Sequence, residues 1–402
     1  MSQLLVGLIL VLTCLCSAEE AFDPPAPKWL QEAEIFNGCY FKPSQELVQD
    51  VFPKFSCIVG GIWSGWTVEK LHKLGVRVVP YIDFVQSPWP EKGSTKEYTI
   101  TFEGHADWIR VDKEGNYMPT FYAPNKGWYQ GCFNAVGFQE ACLEKVRRAM
   151  QSGVDGLFFD DCGSCRAECY GPQFGKHEHV NEDWDGIDAM DHFLVEARKI
   201  IKSFGDDKIL MMNAWRPRRR WLKVCDCQMW ESFINGPSRA REYNLSNMQY
   251  IADHWADYED TGKRIVALAY SGSTTGDVKE DAYFAYAWAR LLGFPWADWF
   301  TLKDKPGREL YDVKLGKYLQ KHQKLDSVMF RACENGVVVT TIRDGEQSVT
   351  IPLPAPFRHV RLLDVYSGAP VPVDSGKLTV TLPNRAGRVY VAQPTGGEAR
   401  AE

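Results

Sequence analysis

The residues best equipped for chemistry are acids that end apolar runs. Gly156-Leu157-Phe158-Phe159 stops against Asp160 and Asp161, and Cys225-Asp226-Cys227-Gln228-Met229-Trp230 stops against Glu231. A buried acid in such a place is costly and adds nothing to packing, so runs that finish this way point to a site. Two carboxylates across a pocket are the equipment of glycosidic-bond cleavage. One attacks or stabilises the anomeric carbon and the other protonates the leaving oxygen. The two-residue period of a strand puts Asp160 on the face of Phe158 and turns Asp161 the other way. Asp160 is therefore expected to be nucleophile or charge stabiliser, with Asp161 positioning it or binding a hydroxyl. Glu231 is expected to be the general acid and base, its proton held by desolvation against Trp230 and by the nearby negative charge.

Other residues at run ends would complete a sugar site. Asp83 closes Val78-Val79-Pro80-Tyr81-Ile82 and is assigned to hydroxyl binding, with a direct catalytic role as the alternative. Asn213 ends Met211-Met212 and suits a sugar hydroxyl or the task of keeping a carboxylate charged. Trp215, Tyr270 and Trp299 are placed as stacking walls, although each could equally be core. Trp63 and Asp298 are weaker members of the same ring, and His105 reads as structural. The 14 Trp and 17 Tyr tilt the balance towards sugar stacking.

To bring these residues together, the elements must alternate. Apolar strand-like runs at 35–40, 57–62, 76–83, 156–160, 209–213, 225–231, 264–270 and 296–300 are separated by helical patterns such as Phe138, Cys142, Val146 and Met150. Eight alternations point to a (β/α)8 TIM barrel, whose chemistry sits at the C-terminal ends of the strands. A long insertion at 85–135 is expected to cover that face. Beyond 325 the texture becomes short alternating runs at 336–342, 348–353, 360–363, 378–382 and 388–391, split by turn pairs such as Asp344-Gly345. That predicts a small antiparallel β-sandwich. The expected organisation is a signal peptide at 1–18, the barrel at 19–325, the sandwich at 326–393 and a disordered tail at 394–402.

Cys132-Phe133-Asn134, a helix, and then the run from Val154 to Asp161 resemble the barrel glycosidases of the alpha-galactosidase and alpha-amylase type. The alpha-galactosidase resemblance implies a nucleophilic Asp at the end of the fourth strand, followed by Asn and Cys; here Asp161 stands where that Asn would be. The Asp155-Gly156-x-x-x-Asp160 spacing also resembles endo-alpha-1,4-polygalactosaminidases. That pattern pairs the fourth-strand Asp with a Glu on a later strand, which implies Glu231 as its partner. The resemblance covers the barrel layout and the C-terminal β-domain, and implies a carbohydrate substrate without naming the sugar.

Composition narrows the classes further. A net charge of −6 offers no basic excess for a nucleic acid. The run Arg216-Pro217-Arg218-Arg219-Arg220 reads as a solvated loop. Residues 4–15 followed by Cys16-Ser17-Ala18 read as a signal peptide, implying a secreted or periplasmic protein with no membrane segment beyond it. In that setting the ten cysteines past residue 18 predict disulfides and no metal. Cys162, Cys165 and Cys169, followed by His177 and His179, keep a metal site open as the alternative. No cofactor is expected. Two competing functions remain: a carbohydrate-binding barrel without turnover, and a metal-dependent hydrolase built on that cysteine cluster.

Overall fold

The computed structural model describes residues 25–39, 45–60, 68–84, 86–88, 100, 102, 104–120, 128–161, 168–214, 216–235, 243–254, 256–272, 274–298, 306–358 and 360–393. Eight parallel strands close into a barrel: β1 (Ile35–Cys39), β2 (Cys57–Gly60), β3 (Arg77–Ile82), β4 (Gly156–Phe159), β5 (Ile209–Ala214), β6 (Cys227–Trp230), β7 (Arg264–Ala269) and β8 (Trp296–Asp298). Each strand pairs with its neighbours in chain order, and β8 returns to β1. All eight correspond to the apolar runs expected from sequence.

Alternation along each strand sorts side chains into two layers. Phe158, Met211, Cys227, Met229, Val266 and Leu268 point inward and pack with Phe36, Val59 and Val79. Leu157, Phe159, Leu210, Met212 and Trp230 point outward, against helices that include α1 (Phe138–Gln151), α2 (Gly186–Ser203) and α3 (Val278–Leu292). Helix α2 starts on an Asp185 cap whose carboxylate accepts from the N–H groups of Ile187 and Asp188, and Asp277 does the same for α3. Gly156 opens β4 where no side chain fits: an added Cβ would lie 2.2 Å from the carbonyl oxygen of Ile209 on β5.

The C-terminal part is antiparallel. Strands β9 (Gln323–Leu325), β10 (Val328–Cys333), β11 (Gly336–Thr341), β13 (Arg361–Asp364), β14 (Pro370–Val371) and β16 (Gly387–Gln393) form one sheet, and β12 (Gln347–Pro352) pairs with β15 (Lys377–Leu382) in a second. Phe330, Val337 and Val339 of the first sheet enclose a core with Ile351, Leu378 and Val380 of the second. Val338 and Val389 join the barrel-side core that contains α3. The expected five runs are all strands; β9, β10 and β14 were not anticipated.

The cysteines correct an expectation. Among the described residues Cys57, Cys132, Cys142, Cys169, Cys225, Cys227 and Cys333 form no disulfide, and all are buried except the half-buried Cys169. Cys57 and Cys227 fill the barrel interior and Cys142 the helix layer, behaving as small apolar side chains rather than as cross-links. Cys162, Cys165 and the Cys39 side chain lie outside the described residues, as do residues 1–18 and 394–402. Among the described residues no helix is long and apolar enough to cross a membrane.

Two buried acids lock the N-terminal end of the barrel. Asp155 accepts from Arg77 Nη1 (2.6 Å), the Val78 N–H (2.9 Å) and Lys208 Nζ (3.3 Å), and meets His72 Nε2 at 2.6 Å. Asp226 accepts from Arg198 Nη2 (2.9 Å) and the Leu210 N–H (3.0 Å), with Lys202 Nζ at 3.2 Å. Burial alone would push both carboxyls up. For Asp155 the Arg77, Val78 and His72 hydrogen bonds and the Lys208 charge outweigh burial; for Asp226 Arg198, Lys202 and the Leu210 N–H do so. Both carboxyls are held below their ordinary value. A carboxyl lowered in the folded state contributes stability above the unfolded value, about 3.9, and loses it as pH falls through the folded value. Asp155→Ala should therefore cost about 3 kcal/mol in denaturant unfolding at neutral pH, because it leaves the buried Val78 N–H and the half-buried Arg77 and Lys208 without their shared acceptor. It should also flatten the loss of stability seen in acid.

Candidate active site

The inward rows of the strands carry the functional residues to the C-terminal mouth. Asp160 continues the row of Phe158, Asn213 that of Met211, Glu231 that of Met229, Tyr270 that of Leu268, and Asp83 that of Val79 and Tyr81. Strand β5 lies between β4 and β6, with Phe159 paired to Met212 and Asn213 paired to Met229. Asn213 is thereby placed between the two acids.

One amide reaches both carboxylates. Asn213 Nδ2 donates to Asp160 Oδ1 at 2.6 Å and to Glu231 Oε2 at 2.5 Å. The two acceptor oxygens are thus no farther apart than those two bonds laid end to end. The amide must face this way, because its oxygen would be repelled by both acids. Asn213 Oδ1 is buried with no hydrogen-bond partner among the described residues, an acceptor available to a donor from a ligand. Tyr270 donates its hydroxyl to Glu231 Oε1 at 2.6 Å. Asp160 also receives the Asp161 N–H (2.8 Å) and the Tyr81 hydroxyl.

The backbone bends sharply after each acid. Asp161 has φ 53° and Ser232 has φ 55°, both in the left-handed region that non-glycine residues seldom occupy. The bends end β4 and β6 just past the carboxylates, and at Asp161 the bend aims the backbone N–H back at Asp160. Such local strain is a frequent mark of functional positions.

Burial pushes the Asp160 carboxyl above its ordinary value, and the Glu231 charge adds to it; the Asn213, Asp161 and Tyr81 donors only partly oppose the rise. Tyr81 itself is pushed up by burial and then by the charges of Asp160 and Asp83, which places Asp83 beside the same cluster.

Sequence reasoning therefore assembled most of this cluster. Asp160, Glu231, Asn213 and Tyr270 are brought into contact, and Asp161 contributes its backbone. Tyr270 differs from the expected stacking wall: its ring is 2% exposed in the barrel interior and its working atom is the hydroxyl. Tyr81 was missed, although its spacing two residues before Asp83 on an inward row was a usable signal. Asp298 is buried at the end of β8 and bonds to Ser271. Trp63, Trp215 and Trp299 lie outside the described residues. His105 is half exposed and stacks on Trp108 at 3.7 Å, in keeping with a structural role. Arg219 and Arg220 pair with Asp260 (2.9 Å) and Asp191 (2.6 Å) at the surface. A cavity of about 840 Å³ lined by Pro25, Arg198, Lys202 and Asp207 sits at the N-terminal end of the barrel beside the partners of Asp226, away from Asp160 and Glu231. Cys169, His177 and His179, grouped in the sequence as the alternative metal site, come together with Cys132, which was not included; Cys162 and Cys165 lie outside the described residues.

No protein-family model matches the sequence, and no curated protein matches it. Solved structures do share its fold. An alpha-amylase from Geobacillus thermoleovorans, complexed with acarbose, superposes with a TM-score of 0.52 at 11% identity, over 91% of this chain and 99% of its own. The Nostoc punctiforme debranching enzyme gives 0.56 at 13%, over 91% and 99%. Cyclic alpha-maltosyl-(1→6)-maltose hydrolase from Arthrobacter globiformis gives 0.54 at 14%, over 92% and 100%. The chain has the alpha-amylase-like arrangement of a TIM barrel followed by an antiparallel β-domain.

A carboxyl raised in the folded state favours the protonated form, so ionising Asp160 costs stability as pH rises from the unfolded value through the folded one. Asp160→Asn removes that charge. The variant should melt higher than the parent chain at neutral pH, with the difference closing as both are taken below about pH 4. Thermal melts across that range test this.

Proposed function

We propose that the protein is a secreted or periplasmic retaining glycoside hydrolase of oligo- or polysaccharides, with Asp160 as nucleophile and Glu231 as general acid and base. The observation that carries this reading is the single Asn213 amide nitrogen shared by both carboxylates. So short a bridge suits the separation of about 5–5.5 Å used by retaining enzymes and not the roughly 6.5–9.5 Å that leaves room for water in inverting ones. Three donors converge on Asp160 and partly offset the rise that burial and the Glu231 charge impose on its carboxyl. In the first step Asp160 attacks the anomeric carbon while Glu231 gives its proton to the leaving oxygen. In the second, Glu231 takes a proton from water, and that water displaces Asp160. Tyr270 keeps Glu231 oriented through both steps.

Asp83 and the Asn213 oxygen bind sugar hydroxyls and Asp161 positions Asp160; Trp215 and Trp299, which follow β5 and β8 in the sequence, are assigned to sugar stacking from the sequence alone. The route needs no cofactor. The carbohydrate-active names of the structural neighbours, including the acarbose complex, support this substrate class. Export rests on the apolar segment 4–15 and the small residues after it.

Release of reducing sugar from a panel of oligo- and polysaccharides is the direct test, with the anomer of the first-formed product read by NMR. Net retention is expected, and inversion would exclude Asp160 as nucleophile. Asp160→Asn should lower kcat by several orders of magnitude with little change in KM. Glu231→Gln should spare activated aryl glycosides relative to natural substrates, because their leaving groups need no proton. Sugar binding without turnover by the parent chain would favour a carbohydrate-binding barrel instead.

A further inference from the structure

Outside the carboxylate site, four soft ligands converge from distant parts of the chain. Cys132 follows the short strand Trp128–Gln130 in the insertion after β3. Cys169, His177 and His179 lie in the segment that leaves β4. Their ligand atoms all fall within 4.8 Å of one another. We propose that Cys132, Cys169, His177 and His179 form a structural zinc site that staples the β3 insertion to the segment following Asp160 and Asp161.

The geometry fits zinc. Bonds of about 2.3 Å to sulfur and about 2.0–2.1 Å to nitrogen, at the tetrahedral angle, set sulfur and nitrogen ligands about 3.6 Å apart. Cys169 Sγ lies 3.3 Å from His177 Nε2 and Cys132 Sγ lies 3.8 Å from His179 Nε2, on either side of that distance. Two thiolates and two imidazoles complete a closed shell, the pattern of structural rather than catalytic zinc. A disulfide between the two cysteines would leave both imidazoles unexplained.

The surroundings are built to hold the ligands in place. The Val111 N–H donates to Cys169 Sγ at 3.3 Å, a contact that steadies a ligating thiolate. His177 lies against Gly171 so closely that an added Cβ there would sit 2.2 Å from its ring. Around the cluster the two segments are laced by the backbone: Val136 N–H to Glu178 O (3.0 Å), Val180 N–H to Asn134 O (2.7 Å) and Tyr170 N–H to Val111 O (3.0 Å). Asn134 adds a side-chain bond to Asn181 O at 2.7 Å.

Elemental analysis of the full chain, purified without chelator, should find about one zinc per chain. Cobalt substituted into the parent protein should show thiolate-to-metal charge transfer and the intense visible bands of tetrahedral cobalt, a readout that needs no variant. Cys132→Ser, His177→Ala and His179→Ala should each lose the metal, and Gly171→Ala should weaken its retention by displacing His177. Cys333→Ser, in the C-terminal sheet, should keep it. Chelation should lower the melting temperature of the parent chain. A folded parent chain that neither retains nor takes up zinc, a Cys132–Cys169 disulfide found by peptide mass mapping, or equal metal loss in Cys333→Ser would overturn the proposal.

Discussion

The hydrogen bonds from one Asn213 nitrogen to Asp160 and Glu231 are the interaction on which the site depends. Two carboxylates this close repel one another, and a donor with two hydrogens between them is the simplest way to hold both in place. The barrel supplies that donor through topology. Strand β5 runs between β4 and β6, so the residue one step beyond Met212 falls beside the residue one step beyond Phe159. Asn213→Leu would leave two facing acids without that shared donor.

The two ends of the barrel treat buried acids in opposite ways. At the N-terminal end Asp155 and Asp226 are surrounded by cations and backbone N–H groups, and their carboxyls are pulled below the ordinary range. At the C-terminal end Asp160 faces Glu231 and its carboxyl is pushed up by burial and like charge. The first arrangement stabilises the fold, and the second is tolerated because the fold is stable elsewhere. This is the division expected of a parallel barrel, with stability residues below and chemistry above. The fully packed interior layer of Phe158, Met211, Met229 and Leu268 separates the two ends and fixes the direction of each inward row.

How much of this was legible in the sequence follows from the range of each interaction. The eight strands were readable because each is a local apolar run, and the two-residue period then pointed Asp160 and Phe158 the same way. Asp160 and Glu231 could be paired because both end such runs. Asn213 was read as a group that would bind a hydroxyl or keep a carboxylate charged; that one nitrogen reaches both acids could not be read, since it depends on side-chain distances across three strands. Tyr270 looked like a stacking wall because sequence shows an aromatic ring and not the partner of its hydroxyl. The cysteines were misjudged for a similar reason. Cys57, Cys142 and Cys227 are packing residues, and Cys169 meets Cys132, which is remote from it in sequence, at the same cluster as His177 and His179.

The central claim is that Asp160 and Glu231 form one electrostatically coupled pair. Its most direct measurement is a pH titration of the Asp160 carboxyl, by carbon NMR on aspartate-labelled protein, in the parent chain and in Glu231→Gln. The expected result is a parent titration above the ordinary Asp value of about 3.9 that moves down when the Glu231 charge is removed. An Asp160 carboxyl that titrates at its ordinary value, or one unmoved by Glu231→Gln, would contradict the coupling.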